Sequence, residues 1–173
     1  MANPTMTLIA SNTVGSGGVS SVTFSSIPNT YTDLVVKASI RTTSSSQGTA
    51  LYYRYNGDSG SNYSFLYLNG NGSSLASGSN GTTSVNYPGI VDTNGDTSNT
   101  FASLDIYIPN YASSNYKSAS ADNVSENNGT TAYATLSAGL WKNTTAITSI
   151  TLLPSSDNLA QYSTIYLYGV SNS

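Results

Sequence analysis

The 173-residue chain contains no cysteine and no histidine. Without cysteine there is neither a disulfide framework nor a thiolate metal site. Without both residues, the Ser-His and Cys-His nucleophile pairs are excluded. Charge is also scarce: 5 basic and 8 acidic residues, a net charge of -3, and only 8% of positions charged. So few charges produce weak long-range fields, and no basic cluster is present, so nucleic acid is not an expected partner. Nor is a membrane. No run reaches the roughly 18 apolar residues of a spanning helix. Residues 1–5 have neither the basic nor the apolar region of a secretory signal, and synthesis in a cytoplasm is expected.

What is present is Ser, Thr, Asn, Gly and Tyr. Hydrophobic residues make up 38% of the chain and 14 residues are Tyr, which separates it from disordered chains of equally low charge and indicates a folded domain with a neutral surface. The clearest pattern lies in residues 101–110. Leu104, Ile106 and Ile108 alternate with Ser103, Asp105 and Tyr107, the period-2 signature of a strand with one face buried and one wet. Pro109 and Asn110 end it. This strand is expected near the middle of a sheet.

Other segments repeat the pattern. In residues 33–41, Leu34, Val36, Ala38 and Ile40 are read as facing in, with Lys37, Ser39 and Arg41 facing out. Residues 50–55 and 63–68 read as a hairpin across Asn56-Gly57, whose residues tolerate positive φ. Residues 69–83, nearly all Gly, Ser and Asn, read as a long loop. Residues 85–91 carry Pro88-Gly89 and read as a bulged or edge strand. Residues 122–129 read as a polar loop. In residues 131–141, Ala132, Ala134, Leu136, Ala138 and Leu140 are placed on the inner face. Strands are also expected at 6–11, 19–25, 113–120, 147–153 and 164–170. No segment has a capped 3.6-residue period. The reading is all-β: a single antiparallel β-sandwich over 1–173, jelly-roll-like, with about ten strands and residues 1–18 as a candidate N-terminal arm.

No catalytic, metal or cofactor site is assigned. The acids Asp92 and Asp96, and Asp122 and Glu126, lie in Asn/Gly-rich segments where a spacing of four fixes no geometry. Residues 92–96 open like a calcium loop, but an EF-hand needs Gly at its sixth position and Glu at its twelfth, where this chain has Thr97 and Ser103, so an ordinary turn is preferred. Aromatic rings stack on sugars and amides bind their hydroxyls. Tyr111, Tyr116, Trp141 and Tyr162 are therefore the candidate glycan-binding residues. Tyr52, Tyr107, Tyr133, Tyr166 and Tyr168 are read instead as ordinary strand residues, half apolar and half wet.

The run Thr7-Leu8-Ile9-Ala10-Ser11, followed by Ser21-Val22-Thr23-Phe24-Ser25-Ser26-Ile27-Pro28 and Tyr31-Thr32-Asp33-Leu34, resembles the opening of small Ser/Asn/Tyr-rich virion structural proteins of tailed bacteriophages. Ile106-Tyr107-Ile108-Pro109-Asn110-Tyr111 and Tyr166-Leu167-Tyr168-Gly169-Val170 fit the same pattern. The resemblance implies a non-enzymatic virion surface protein made in the host cytoplasm, acting as a capsid decoration or a head- or tail-fibre component. It also implies other capsid or tail proteins as partners and a homo-oligomer, a trimer being the usual form. The alternative is a carbohydrate-binding module that recognises a host surface glycan.

Overall fold

The computed structural model describes residues 5–129 and 131–171. They form twelve strands and no helix: β1 (Met6–Thr13), β2 (Val22–Phe24), β3 (Asp33–Thr42), β4 (Thr49–Tyr55), β5 (Tyr63–Gly70), β6 (Leu75–Thr83), β7 (Asn86–Thr93), β8 (Ala102–Ile108), β9 (Lys117–Ser125), β10 (Tyr133–Trp141), β11 (Ile150–Pro154) and β12 (Thr164–Val170). Eight of them make one antiparallel layer in the order β1-β12-β3-β8-β9-β10-β5-β6, and four make a second in the order β2-β11-β4-β7. A two-residue parallel patch, Arg41 opposite Asp92 and Thr42 opposite Thr93, joins the layers into one hydrogen-bonded network. The fold is an open, jelly-roll-like β-sandwich, with two strands more than the sequence suggested.

The expected organising strand is β8, lying between β3 and β9. Leu104, Ile106 and Ile108 are buried, as are Leu34, Val36 and Ile40 on β3 and Ile165 and Leu167 on β12. Burying each such side chain contributes roughly 1.5–3 kcal/mol. Beyond Pro109, Asn110 takes a positive φ of 50° and its N–H donates to Asp33 Oδ1 at 2.8 Å. Residues 6–13 of the candidate arm belong to the sheet, because β1 pairs with β12 from Met6 opposite Val170 to Thr13 opposite Thr164.

Four local readings are corrected. Asn56 and Gly57 do form a turn, with φ of 51° and 66°, but β4 and β5 do not pair. β4 lies between β11 and β7, β5 between β10 and β6, so the turn carries the chain from one layer to the other. The expected loop at 69–83 contains β6, paired among the described strands only with β5; after Leu75 and Ala76 its residues are all Ser, Gly, Asn and Thr, which leaves no polarity contrast to reveal a strand. The expected loop at 122–129 begins with the last four residues of β9. β10 has the expected period on the opposite face: Thr135, Ser137 and Trp141 are buried, whereas Leu136 is 57% exposed. The bulge read at 85–91 is present, β4 advancing from Leu51 to Tyr53 while β7 runs from Gly89 back to Asn86.

Asparagine and glycine interlock where β7 crosses β9 and β10. A Cβ on Gly89 would lie 2.7 Å from Asn123 Nδ2, and one on Gly139 would lie 2.7 Å from Asn86 Oδ1 and 2.8 Å from the Tyr53 hydroxyl. Each layer thus presses a buried asparagine into a glycine socket of the other. The Asn123 amide also donates to Ile90 O.

Candidate functional site

Two of the four aromatic candidates are core residues. Trp141 is 1% exposed; its ring stacks with Tyr63 at a centroid distance of 6.3 Å and tilts against Tyr55 at 5.5 Å. Its indole N–H donates to Asp58 Oδ2 at 2.7 Å. Burial raises the Asp58 carboxyl, but hydrogen bonds from Trp141, Asn62 and the Gly60 N–H outweigh it and hold the group below its ordinary value of 3.8. Tyr111 is fully buried and its hydroxyl donates to Pro28 O. Neither ring has a face free for a sugar. Tyr116 and Tyr162 are 58% and 69% exposed.

Residues 92–96 serve the turn itself. Asp96 Oδ2 accepts from the Thr93 N–H at 2.8 Å, the Gly48 N–H at 3.1 Å and the Thr93 hydroxyl at 3.0 Å. Asp92 is fully buried, and its Oδ1 accepts from Asn127 at 3.1 Å. Burial raises the Asp92 carboxyl against the lowering effect of that hydrogen bond. Among the described residues no three Asp, Glu, His or Cys side chains cluster as metal ligands would.

Two other regions stand out. The first is the outer face of β5 and β10. Leu68 lies opposite Leu136, Leu66 opposite Ala138, and Gly70 opposite both Ala134 and Leu75; Ala134 in turn faces Val124 on β9. Leu66 and Leu68 are each 56% exposed and Leu75 is 90% exposed. Directly opposed and diagonal side chains on one sheet face touch, so these residues form one apolar surface. Two shallow grooves of about 300 Å³ flank it, one along Phe65, Leu66 and Leu140, the other along Leu68, Leu75, Val124 and Leu136. Beside it runs the free edge of β6. No Lys, Arg, Asp or Glu occurs between Asp58 and Asp92, nor between Glu126 and Lys142.

The second region is a cleft of about 350 Å³ where the turns at 15–18, 94–101 and 160–162 meet the end of β3. Arg41, Thr43, Asn94, Asn99, Phe101 and Tyr162 line it. Arg41, read from sequence as outward-facing, is only 7% exposed. Its guanidinium reaches under the 94–100 loop and donates to Thr97 O at 2.9 Å, Thr100 O at 2.7 Å, Asp96 O at 3.3 Å and Asn94 Oδ1 at 3.4 Å. The 160–163 turn is held as firmly. The Ala160 N–H donates to Arg41 O at 2.8 Å and the Tyr162 N–H to Val14 O at 3.0 Å. Buried Ser163 accepts from the Arg41 N–H and donates to Arg41 O, both at 3.1 Å. Within this frame Tyr162 adopts φ of 72° and Asn99 φ of 64°. For a bulky residue such as Tyr that conformation costs on the order of 1–3 kcal/mol. The sequence singled out Tyr162 but offered no sign of its neighbours, which come from three separate loops.

No protein-family model matches the chain, and no curated protein matches it at a significant level of similarity.

Proposed function

We propose that this protein is a non-enzymatic surface subunit of a tailed-phage virion, a capsid decoration or fibre component, that works as a homo-oligomer. The observation that carries the assembly part is the β5–β10–β6 surface. Leucines on an outer sheet face beside an edge strand are a liability for an isolated monomer, since unpaired N–H and C=O groups and apolar side chains recruit another chain. Soluble proteins commonly blunt such edges with lysine, proline or a bulge; β6, Leu75–Thr83, contains no lysine or proline, and its bulge and the Lys142 ammonium on Gly81 O lie at the Thr83 end, away from Leu75. β5, β6 and β10 carry no charged side chain, and Asp122 lies beside the apolar surface on β9, opposite Leu136, so a second copy that meets the surface along β5 and β6 encounters little like-charge repulsion. A trimer fits the phage resemblance, which supplies the virion part of the proposal. A neutral, cysteine-free β-domain also suits assembly in a host cytoplasm followed by exposure outside it.

Two measurements test the proposal separately. Light scattering on the purified protein is expected to give a multiple of the monomer mass, reduced to one copy by Leu66→Ser with Leu136→Ser; a monomeric wild-type protein would remove the assembly claim. Gold-labelled antibody on intact virions is expected to decorate the head shell or the tail. Absence of label from every particle would remove the virion claim.

A further inference from the structure

We propose that the cleft between the 94–101 loop and the 160–163 turn is a carbohydrate site that takes one pyranose unit, stacked on Tyr162 and hydrogen-bonded by Asn94, Asn99 and Thr43. The phage reading is not required for this, and the cleft lies apart from the β5–β10–β6 surface.

Three observations converge. The first is that Tyr162 is both strained and exposed. A tyrosine with φ of 72° and 69% exposure gains little for the fold by being tyrosine, since glycine adopts that backbone without penalty. Backbone strain held in place by surrounding hydrogen bonds is concentrated where a side chain must be presented. Here Val14, Arg41, Ala160 and Ser163 supply those bonds. The second observation is the mixture of groups around the ring. Phe101 adds a second apolar surface, and the exposed amides of Asn94 and Asn99 add donors and acceptors. An apolar platform with a few placed amides and hydroxyls matches a sugar, which has one C–H face and a rim of hydroxyls. The cleft, at about 350 Å³, falls near the lower end of the range for small-ligand sites, about 300–1,000 Å³.

The third observation excludes a competing ligand. A phosphate group would call on Arg41, but its N–H groups already serve Asn94, Asp96, Thr97 and Thr100. They stiffen the loop that carries Asn94 and Asn99 and leave no fork open for a bidentate anion. Arg41 therefore shapes the site without clamping the ligand.

The test uses an immobilised array of neutral and acidic pyranose oligosaccharides, probed with the full chain and with Tyr162→Gly and Asn99→Gly. Both substitutions put glycine at a positive-φ position, so the variants are expected to fold with a Tm equal to or above that of the wild type. The wild type is expected to bind one or more sugars of either charge class, with at least a tenfold loss in each variant. Titrating ¹⁵N-labelled protein with the best array sugar is expected to shift amides at 41–43, 94–101 and 160–163. Failure of every oligosaccharide to bind would overturn the proposal. So would binding that survives Tyr162→Gly, or shifts that cluster on β5 and β10. A chain that binds sugar but appears on no virion keeps this site and loses the phage reading; the reverse result does the opposite.

Discussion

Around β3, β8 and β12 the strands bury Leu34, Val36, Ile106 and Leu167 and turn Ser103, Asp105 and Tyr107 outward. Around β5, β9 and β10 the arrangement reverses: Asn123, Ser125, Thr135 and Ser137 are inside while Leu66, Leu68 and Leu136 are outside. Both regions contain strands that alternate over much of their length in the same layer, so periodicity does not distinguish them. What differs is the surface each inner face meets. The first faces an apolar core. The second faces β7: Asn86 and Gly89 interlock with Gly139 and Asn123, where close packing favours small polar side chains on β9 and β10, while β5 sets Phe65 and Tyr67 against Tyr87. Those leucines stabilise the isolated fold little where they stand, which is why they point to assembly.

The largest effect that would break this contrast belongs to the apolar half. Ile106→Ala should cost about 2–5 kcal/mol, read by urea unfolding. A cost below 1 kcal/mol would mean that β8 is not the packing centre. Next is Gly139→Ala in the polar half, where the new methyl would press on Asn86 and Tyr53 and cost about 1–3 kcal/mol. A neutral result would show that the asparagine sockets yield.

Two carboxyls sharpen the comparison through pH. Asp58 is held below 3.8, so its contribution is present above that value and lost as pH falls through the lower folded one. Asp92 is raised above 3.8, so the folded state holds its proton longer; that contribution is present below 3.8 and lost as pH rises through the folded value. Asp92→Asn should therefore be more stable than wild type at pH 7, with the gap closing on acidification. Asp58→Asn should be less stable at pH 7, with its deficit shrinking in acid. Thermal melts at pH 3 and pH 7 check both signs. The smallest effect on the fold is expected from Leu68→Ser, within about 0.5 kcal/mol under conditions where the protein is monomeric. A large loss there would make this face part of the core and weaken the assembly argument.

Where polarity contrast and burial coincide, the sequence was readable. β3, β8 and β12 follow from their apolar alternation, as do Val22 and Phe24 of β2. The face of β10 was not readable, because choosing alanine and leucine as the inner set assumes an apolar neighbour. β6 was hidden for a related reason, since its residues are nearly all small and polar. The Asn56-Gly57 turn was correctly read from local chemistry, but no local signal says that it crosses between layers. For the site, exposure separated the tyrosines. Tyr111 and Trp141 carry the same residue-level signal as Tyr162, and only the position of Pro28 and Asp58 shows that they are occupied inside.

The pairing order has a kinetic consequence. Among the described residues β1 pairs only with β12, and β2 only with β11; β3 and β4 also lack a neighbour on one side until those two strands arrive. Eight of the eleven ladders among the described residues join strands that are not consecutive in the chain, which places the protein among the β folds that take milliseconds to seconds to form. On the ribosome the first two strands must wait, unpaired, for the last two. Throughout that wait the chain also displays the uncharged segment 59–91, so crowding during synthesis, more than heating of the finished protein, is when it is most exposed to mispairing.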